Sequence, residues 1–472
     1  MAVNTFTSDP SYLSVPSELL RKYDRPGPRY TSYPTVPVWT EDFGAADYNR
    51  HLDKFAASGR GLSVYVHLPF CEHRCTFCGC NVVIAQREDT IERYLDYLYR
   101  EIDQVAARFG AKKQLLQLHW GGGTPTHLTI PQMQGVWDKL KGVFTFAPDA
   151  EIAIEVDPRV TTSEQMYFLR GLGFNRLSMG VQDLSPEVQA AIGRNQTDKQ
   201  TESIYLLGRE LGFTGINMDL IYGLPRQNLR DWEQSIATVA EWKPDRLAVY
   251  SYAHVPWVKP QQMQINEAEL PKGPEKFALF ESAVKGLLAA GYDPIGFDHF
   301  ALPTDELSQG IGNGRLHRNF MGYTVSASRD MVGLGLSSIG EIGGCFAQND
   351  SRLGGYYRRV DESGTGVYRG WSLSEDDKIR QATILAIMCR MRLSYRELDA
   401  ELGIGTRDYF REEFTRLDEF VGDDLITVDN DGFKVTPRGR HFVRNIAMIF
   451  DAYLPKIQSE ATEKRPVFSR TI

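Results

Sequence analysis

From residue 62 onward, short apolar runs alternate with longer stretches in which apolar residues return every three or four positions. The short runs, 62–68, 115–120, 151–156, 176–181, 216–221 and 246–252, predict strands. The longer ones, 90–109, 131–144, 163–172, 201–211, 229–242 and 275–290, predict helices. Strand and helix in strict alternation imply βαβ units and a mainly parallel sheet. Six units suit an α/β fold of the partial (β/α)6 barrel type, with a seventh strand near 292–300 beside it. In such sheets chemistry gathers at the C-terminal ends of the strands.

The flanks follow different patterns. Residues 1–60 are rich in Pro, Gly and Tyr and predict an extended arm with little regular structure. After about residue 370, stretches 376–391, 395–402 and 408–420 read as helices, 425–435 as a hairpin around Asn430-Asp431-Gly432, and 440–454 as a further helix. The predicted division is an arm at 1–55, a barrel with extension at 56–368, and a mostly helical C-terminal domain with a small hairpin at 369–472. Helices followed by a hairpin resemble a winged-helix module, which raises DNA binding as a rival. The formal charge of −8 argues against it, and against anionic membranes as partners. No run of 18 apolar residues occurs, and the first ten residues lack a signal-peptide pattern, so the expected location is cytoplasmic. With 472 residues, 42% of them hydrophobic, the chain can bury a large core without disulfides.

Four of the six cysteines fall between positions 71 and 80, directly after the first predicted strand. Such clustering points to a metal or redox site. Cys71, Cys75 and Cys78, spaced CxxxCxxC, fit one loop around an iron–sulfur cubane. Three ligands for four irons leave one iron open to a small-molecule chelator. A zinc knot is the alternative, but it prefers two separated ligand pairs, and no distant CxxC or HxxxH supplies the second. Cys80 is surplus to a three-cysteine site. Tyr65 and His67 share one face of the first strand and can point toward the metal.

Gly121-Gly122-Gly123-Thr124 ends the second predicted strand, where bare glycines permit close backbone approach to a ligand. No lysine follows to meet a phosphate. Later strand ends carry Glu155 and Asp157, then Gln182 and Asp183, then Asp219, with Arg194 in a loop between them. Carboxylates suit ribose hydroxyls, and an arginine suits a carboxylate. Any one of these is more often a helix cap or a surface ion pair. Recurrence at successive strand ends is the argument.

Together these residues resemble the radical S-adenosylmethionine enzymes, and within them the oxygen-independent coproporphyrinogen III oxidases. The family's CxxxCxFCxC reads here as Cys71, Cys75, Phe77, Cys78 and Cys80. Flanking segments also match: Gly27-Pro28-Arg29-Tyr30-Thr31-Ser32-Tyr33-Pro34, His119-Trp120-Gly121-Gly122-Gly123-Thr124, Glu155-Val156-Asp157-Pro158-Arg159, Asp219-Leu220-Ile221-Tyr222-Gly223-Leu224-Pro225 and His317-Arg318-Asn319-Phe320.

The resemblance implies a [4Fe-4S] cluster on Cys71, Cys75 and Cys78, and two S-adenosylmethionine molecules consumed for each coproporphyrinogen III converted to protoporphyrinogen IX. Tyr65, Gly122, Glu155 and Ile339 correspond to contacts of the cluster-bound S-adenosylmethionine. Phe77, Gly123, Thr124, Gln182, Arg194, Asp219 and Ala253 correspond to a second position, which equally suits substrate. Tyr65, His67 and Cys80 are the expected catalytic side chains. Arg25, Arg29, Tyr30 and Arg318 are the expected propionate contacts. The expected partners are the small-molecule substrate and an electron donor and acceptor of unspecified identity, with no nucleic acid and no membrane. The expected oligomeric state is monomer. Haem-binding chaperones and haem-opening enzymes of the same superfamily are the alternative, although chaperone relatives generally lack the fourth cysteine and the long C-terminal region.

Overall fold

The computed structural model describes residues 12, 15–85, 87–326, 328–460 and 467–471. Six strands, β1 (Leu62–Leu68), β2 (Lys113–Gly122), β3 (Phe144–Val156), β4 (Arg176–Gln182), β5 (Gly215–Tyr222) and β6 (Arg246–Ser251), lie side by side in parallel in chain order. They are buried on both faces, which is why they read as apolar runs and not as alternation. Helices Glu88–Ala107, Ile130–Val143, Ser163–Leu172, Asp198–Glu210 and Leu229–Trp242 connect them, and Pro274–Ala289 follows β6. Three of these helices start with the same device. Thr129, Thr162 and Thr197 each accept from the backbone N–H of the glutamine three residues on, and that glutamine reaches back. Each such box is worth about 1 kcal/mol and ends the preceding loop sharply. This is the partial (β/α)6 barrel expected from the alternation, open at both edges.

The edges are richer than expected. The seventh strand is two short ones, Asp293–Ile295 and His299–Ala301, the latter antiparallel to β6. Beyond β1 the sheet continues through Met331–Leu334, parallel to it, and then three antiparallel strands, Ile339–Ile342, Cys345–Asn349 and Val367–Ser372. The last runs across the expected division at 368–369.

The arm contains helices Ser17–Tyr23 and Ala45–Ala56, contrary to the expectation of little regular structure. The second buries Tyr48, Leu52 and Phe55 and crosses the expected division at 55–56. In the C-terminal region, helices Glu375–Arg390 and Tyr395–Leu402 and strands Ile426–Asp429 and Gly432–Val435 match the expected pattern. Two expected helices are broken. Stretch 408–420 divides into Thr406–Tyr409, Arg411–Thr415 and Asp418–Gly422, interrupted at Phe410, whose φ of −102° and ψ of 27° leave the helical region. Stretch 440–454 is a short α-helix, Val443–Ala447, between two 3₁₀ turns. Its arginines bond to carbonyls of other segments, Arg440 to Pro294 and Gly296, which sets the path of the chain there.

Two large hydrophobic cores result among the described residues, beside a small third around Ile192 and Leu224. One fills the barrel. The other joins Tyr23, Tyr30 and Tyr33 of the arm to Ile384, Phe442, Ile446 and Phe450. Beside it, arm and tail form a clasp. Gly27 N donates to Ser469 O at 3.0 Å and Thr471 N to Arg25 O at 2.9 Å. Buried Arg444 has only carbonyls as hydrogen-bond partners among the described residues, Gly27 and, at 2.9–3.3 Å, Pro28, Arg470 and Thr471, and lies over the Phe297 ring. Among the described residues no helix is long and apolar enough to cross a membrane.

Candidate functional site

The cysteine loop leaves β1 after Leu68. Its base is closed by parallel pairing of Phe70–Cys71 with Val83–Ile84. Thr76 N donates to Ile192 O at 3.0 Å, and Arg74 to Val82 O at 2.8 Å. From the loop after β6, Lys259 Nζ donates to Cys80 O (3.1 Å), Gln261 to Cys78 O (2.6 Å) and Gln262 to both Phe77 O (2.9 Å) and Ala253 O (3.3 Å). Five of the loop's backbone groups thus have partners, so the loop is held without relying on its thiols.

Cys71, Cys75, Cys78 and Cys80 line a cavity of about 410 Å³ that also touches the ends of β2 to β5. Cys71 Sγ lies 3.5 Å from Thr124 Oγ1, and burial pushes its thiol up to about 11. Cys75 Sγ faces two guanidinium groups, Arg159 Nη2 at 3.7 Å and Arg194 Nη1 at 3.9 Å. A thiol proton shared between Cys80 and Cys78 pulls Cys78 down to about 6 and Cys80 up. Such cationic surroundings suit thiolates that serve as metal ligands.

The donor set fits a cubane. Among the described residues no three His, Cys, Asp or Glu side chains converge as they would on one ion.

Behind the loop, the three glycines at the end of β2 have separate reasons. A Cβ on Gly121 would stand 2.6 Å from Glu155 Oε1, one on Gly122 2.7 Å from the His67 ring, and one on Gly123 2.5 Å from Pro69 O. Gly122 also has φ of 119°, which a β-carbon disfavours. Its N–H is taken by Glu155 Oε2 at 3.0 Å, while Glu155 Oε1 meets His119 Nε2 at 3.2 Å. Burial works against the Glu155 charge, but His119 and Gly122 hold the carboxyl below its ordinary range. Tyr65 stacks on His119, and its hydroxyl pairs with His67 Nδ1 at 3.0 Å. His67 Nε2 lies 2.9 Å from Asn81 O, just past the loop. Neither Tyr65 nor His67 lines the cavity; they form the layer behind Glu155 and Gly122.

Around the opposite wall, Arg194 is occupied by Asp157 (3.1 Å), Gly180 O (2.8 Å) and Gln196 (3.1 Å). Gln182 bulges from β4 at φ 70°, a conformation costing on the order of 1 kcal/mol for a residue with a side chain. Asp219 accepts from Asn217 at 2.8 Å and Ser178 at 3.4 Å, and desolvation raises its carboxyl to about 6. Phe77, Gly123 and Thr124 line the cavity, and Asp183 does not, being buried against Ser235 and Gln227. Ala253 stands outside it, tied to Phe77 through Gln262. Ile339 lies against Gly333, the register partner of Tyr65.

The expected propionate contacts are dispersed. Arg25 is exposed, and Arg29 donates to Ser251 O at 2.9 Å near the end of β6. Tyr30 is 1% exposed with its hydroxyl on Asp451 at 3.0 Å, so it fastens the arm to the second core. Arg318 is 6% exposed, paired with Asp298 at 3.3 Å and stacked between Phe297 and Tyr323. The sequence reading missed Arg159, Lys259, Gln261 and Gln262. Arg159 had a signal in its place within the Asp157-Pro158-Arg159 segment. The other three are ordinary polar loop residues whose partners lie about 180 positions away.

Comparison with known proteins agrees with this geometry. The Radical SAM superfamily model matches residues 65–239, and the HemN C-terminal domain model matches 373–442. The chain is 43% identical over 436 residues to the oxygen-independent coproporphyrinogen III oxidase of Escherichia coli (strain K12), covering 92% of this chain and 95% of that one. It is 39% identical over 460 residues to the oxygen-independent coproporphyrinogen III oxidase of Synechocystis, covering 97% and 98%. The solved structure of Escherichia coli coproporphyrinogen III oxidase, described as a Radical SAM enzyme, superposes with a TM-score of 0.87 at 43% identity, covering 90% of this chain and 97% of that one.

Proposed function

Because the chain belongs to the oxygen-independent coproporphyrinogen III oxidases, a family of radical S-adenosylmethionine enzymes, we propose that the cysteine-lined cavity is where two propionates of coproporphyrinogen III become the vinyls of protoporphyrinogen IX. Each propionate loses a β-hydrogen, an electron and CO₂. When bound, the cluster supplies the electron that cleaves S-adenosylmethionine to a radical able to take that hydrogen.

The chain's residues divide the remaining work. Cys71, Cys75 and Cys78 hold the cluster, with Arg159 and Arg194 offsetting the charge on Cys75. Glu155, oriented by His119 and by the Gly122 N–H, presents a fixed carboxylate to the cluster-bound S-adenosylmethionine. Tyr65 and His67 act through that carboxylate and through the loop's exit at Asn81. Phe77, Thr124, Gln182 and Asp219 face the second occupant, a second S-adenosylmethionine or the substrate edge. Two abstractions require two S-adenosylmethionine molecules per product, whether they bind together or in turn. Lys259, Gln261 and Gln262 of the loop after β6 hold the backbone of the cysteine loop in place.

The observation that carries this reading is that Cys71, Cys75 and Cys78 face one cavity with two guanidiniums beside Cys75. The test is anaerobic incubation with coproporphyrinogen III, S-adenosylmethionine and a reductant. We expect brown protein, deoxyadenosine and protoporphyrinogen, all lost in Cys71→Ala, Cys75→Ala or Cys78→Ala. Colourless wild-type protein holding stoichiometric zinc, or haem binding without product, overturns it.

A further inference from the structure

A second and much larger cavity, about 1180 Å³, lies between helix Ser17–Tyr23, the loop after β6 and the tail at 467–470. Ligand pockets typically span roughly 300–1000 Å³, so its volume suits a ligand of several rings. The walls are apolar at Leu20, Tyr252, Trp257, Phe277, Ile457 and Phe468. The charge is one-sided. Arg21, Lys272, Lys276 and Arg470 line it against a single carboxylate, Asp24, which Arg470 takes at 2.6 Å. In a chain of net charge −8 this leaves three cationic side chains with no carboxylate partner among the described residues.

Lys276 is the built part of that lining. Its side chain passes under Gly223, where a Cβ would stand 2.8 Å from Cε, and Gly223 has φ of 84°. The ammonium donates to Tyr252 O at 3.1 Å and lies 5.8 Å from the centre of the Tyr222 ring, leaving two of its donors open. Arg29 stands behind Ser251, a lining residue, and Arg444 behind the tail; both are spent on carbonyls and bring further positive charge. Desolvation, then the repulsion of Arg29, Arg444 and Arg470, lowers Lys276 to about 8 against the attraction of Asp24. An ammonium placed so, on an apolar-walled cavity, is stabilised by an incoming carboxylate.

We propose that this cavity seats the tetrapyrrole, and that Lys276 holds a carboxylate of the propionates that survive the reaction. This rests on the functional reading above. Lys276 lines the arm-side cavity and no part of the cysteine-lined one. The two adjoin where buried Gln262 links Ala253 of one to Phe77 of the other. A substrate gripped at Lys276 therefore extends its opposite edge toward the cluster, and the carboxylate at Lys276 is not the one lost.

The test is binding of coproporphyrinogen III and of protoporphyrinogen IX, without S-adenosylmethionine, to cluster-loaded protein. Retained ligand is quantified by fluorescence after oxidation. Lys276→Met should weaken both ligands by about ten- to a hundredfold, with iron content unchanged. Lys276→Arg should restore most of the affinity. Wild-type affinity should fall as pH rises from 7 to 9 and Lys276 loses its charge, while that of Lys276→Arg stays flat. This comparison stands even if the Met variant does not fold. Equal affinity of Met variant and wild type, or parallel pH profiles of wild type and Arg variant, overturns the proposal. Weakening of coproporphyrinogen alone overturns it too, since Lys276 would then face a reacting propionate. Wild-type protein that binds by this pattern but forms no protoporphyrinogen with S-adenosylmethionine sinks the functional reading and leaves the anchor standing.

Discussion

Glu155→Gln separates the fold from the chemistry more cleanly than removal of the side chain does. Both carboxylate oxygens are engaged, Oε1 by His119 at 3.2 Å and Oε2 by the Gly122 N–H at 3.0 Å. A glutamine has one acceptor and one donor, so as drawn it would turn one of these contacts repulsive. Histidine offers a way out: if His119 carries its proton on Nδ1, its Nε2 accepts from the amide while the amide oxygen still meets Gly122. The variant should therefore fold with a change in stability under about 1 kcal/mol and keep its cluster absorption. What it loses is the charge. A hydrogen bond to a charged group is worth about 1.5–3 kcal/mol, so affinity for S-adenosylmethionine should fall by roughly 10- to 150-fold. Glu155→Ala should do worse in both respects, since it strands the Gly122 N–H and His119 at about 1–3 kcal/mol each. The assays are thermal unfolding and anaerobic equilibrium dialysis with S-adenosylmethionine on cluster-loaded protein. Wild-type affinity in the Gln variant refutes the role given to Glu155. A large loss of stability in that variant refutes the tautomer argument.

Cys80→Ser should keep the cluster spectrum and lose most turnover, because Cys80 is exposed at the cavity and surplus to the ligands; loss of iron would make it a ligand, and full activity would make it dispensable. Asp219, raised to about 6, binds its proton more tightly folded than unfolded, so its contribution to stability falls as pH rises from its ordinary value near 3.8 through 6. Asp219→Asn should flatten the stability profile in that window, and a lowered count of bound S-adenosylmethionine would assign it to the second position rather than to substrate. Arg318→Lys should lower Tm and spare KM for coproporphyrinogen, because the guanidinium is stacked and paired with Asp298 inside the protein; a raised KM at unchanged Tm would return Arg318 to the substrate.

Much of the barrel was legible because its strands are continuous apolar runs with amphipathic helices between them, and each predicted strand overlaps an observed one. The short strands from Met331 to Ser372 escaped, since runs of four to six residues broken by Gly333, Gly340 and Gly343-Gly344 show no period. The cysteine ligands and Glu155 were readable as local spacing. The surroundings of Tyr30 and Arg318 were not legible: their chemistry suits a ligand, while the fold sets Asp451, 421 positions away, against Tyr30 and Asp298 with two rings against Arg318. Lys276 looked like any helical lysine. Only the folded chain places it under Gly223 and among cations from three other segments.

The clasp between arm and tail has a consequence in time. Arg25 and Thr471 are 446 positions apart. At about 5–20 residues per second, a ribosome reaches the second roughly 20–90 s after the first. The cysteine loop and the residues that grip it, Lys259, Gln261 and Gln262, emerge well before that moment. During the interval Arg444 has no tail carbonyls to bind, and the arm-side cavity lacks one wall. The arm-side cavity is thus walled only after the cysteine loop and the side chains that grip it have been made.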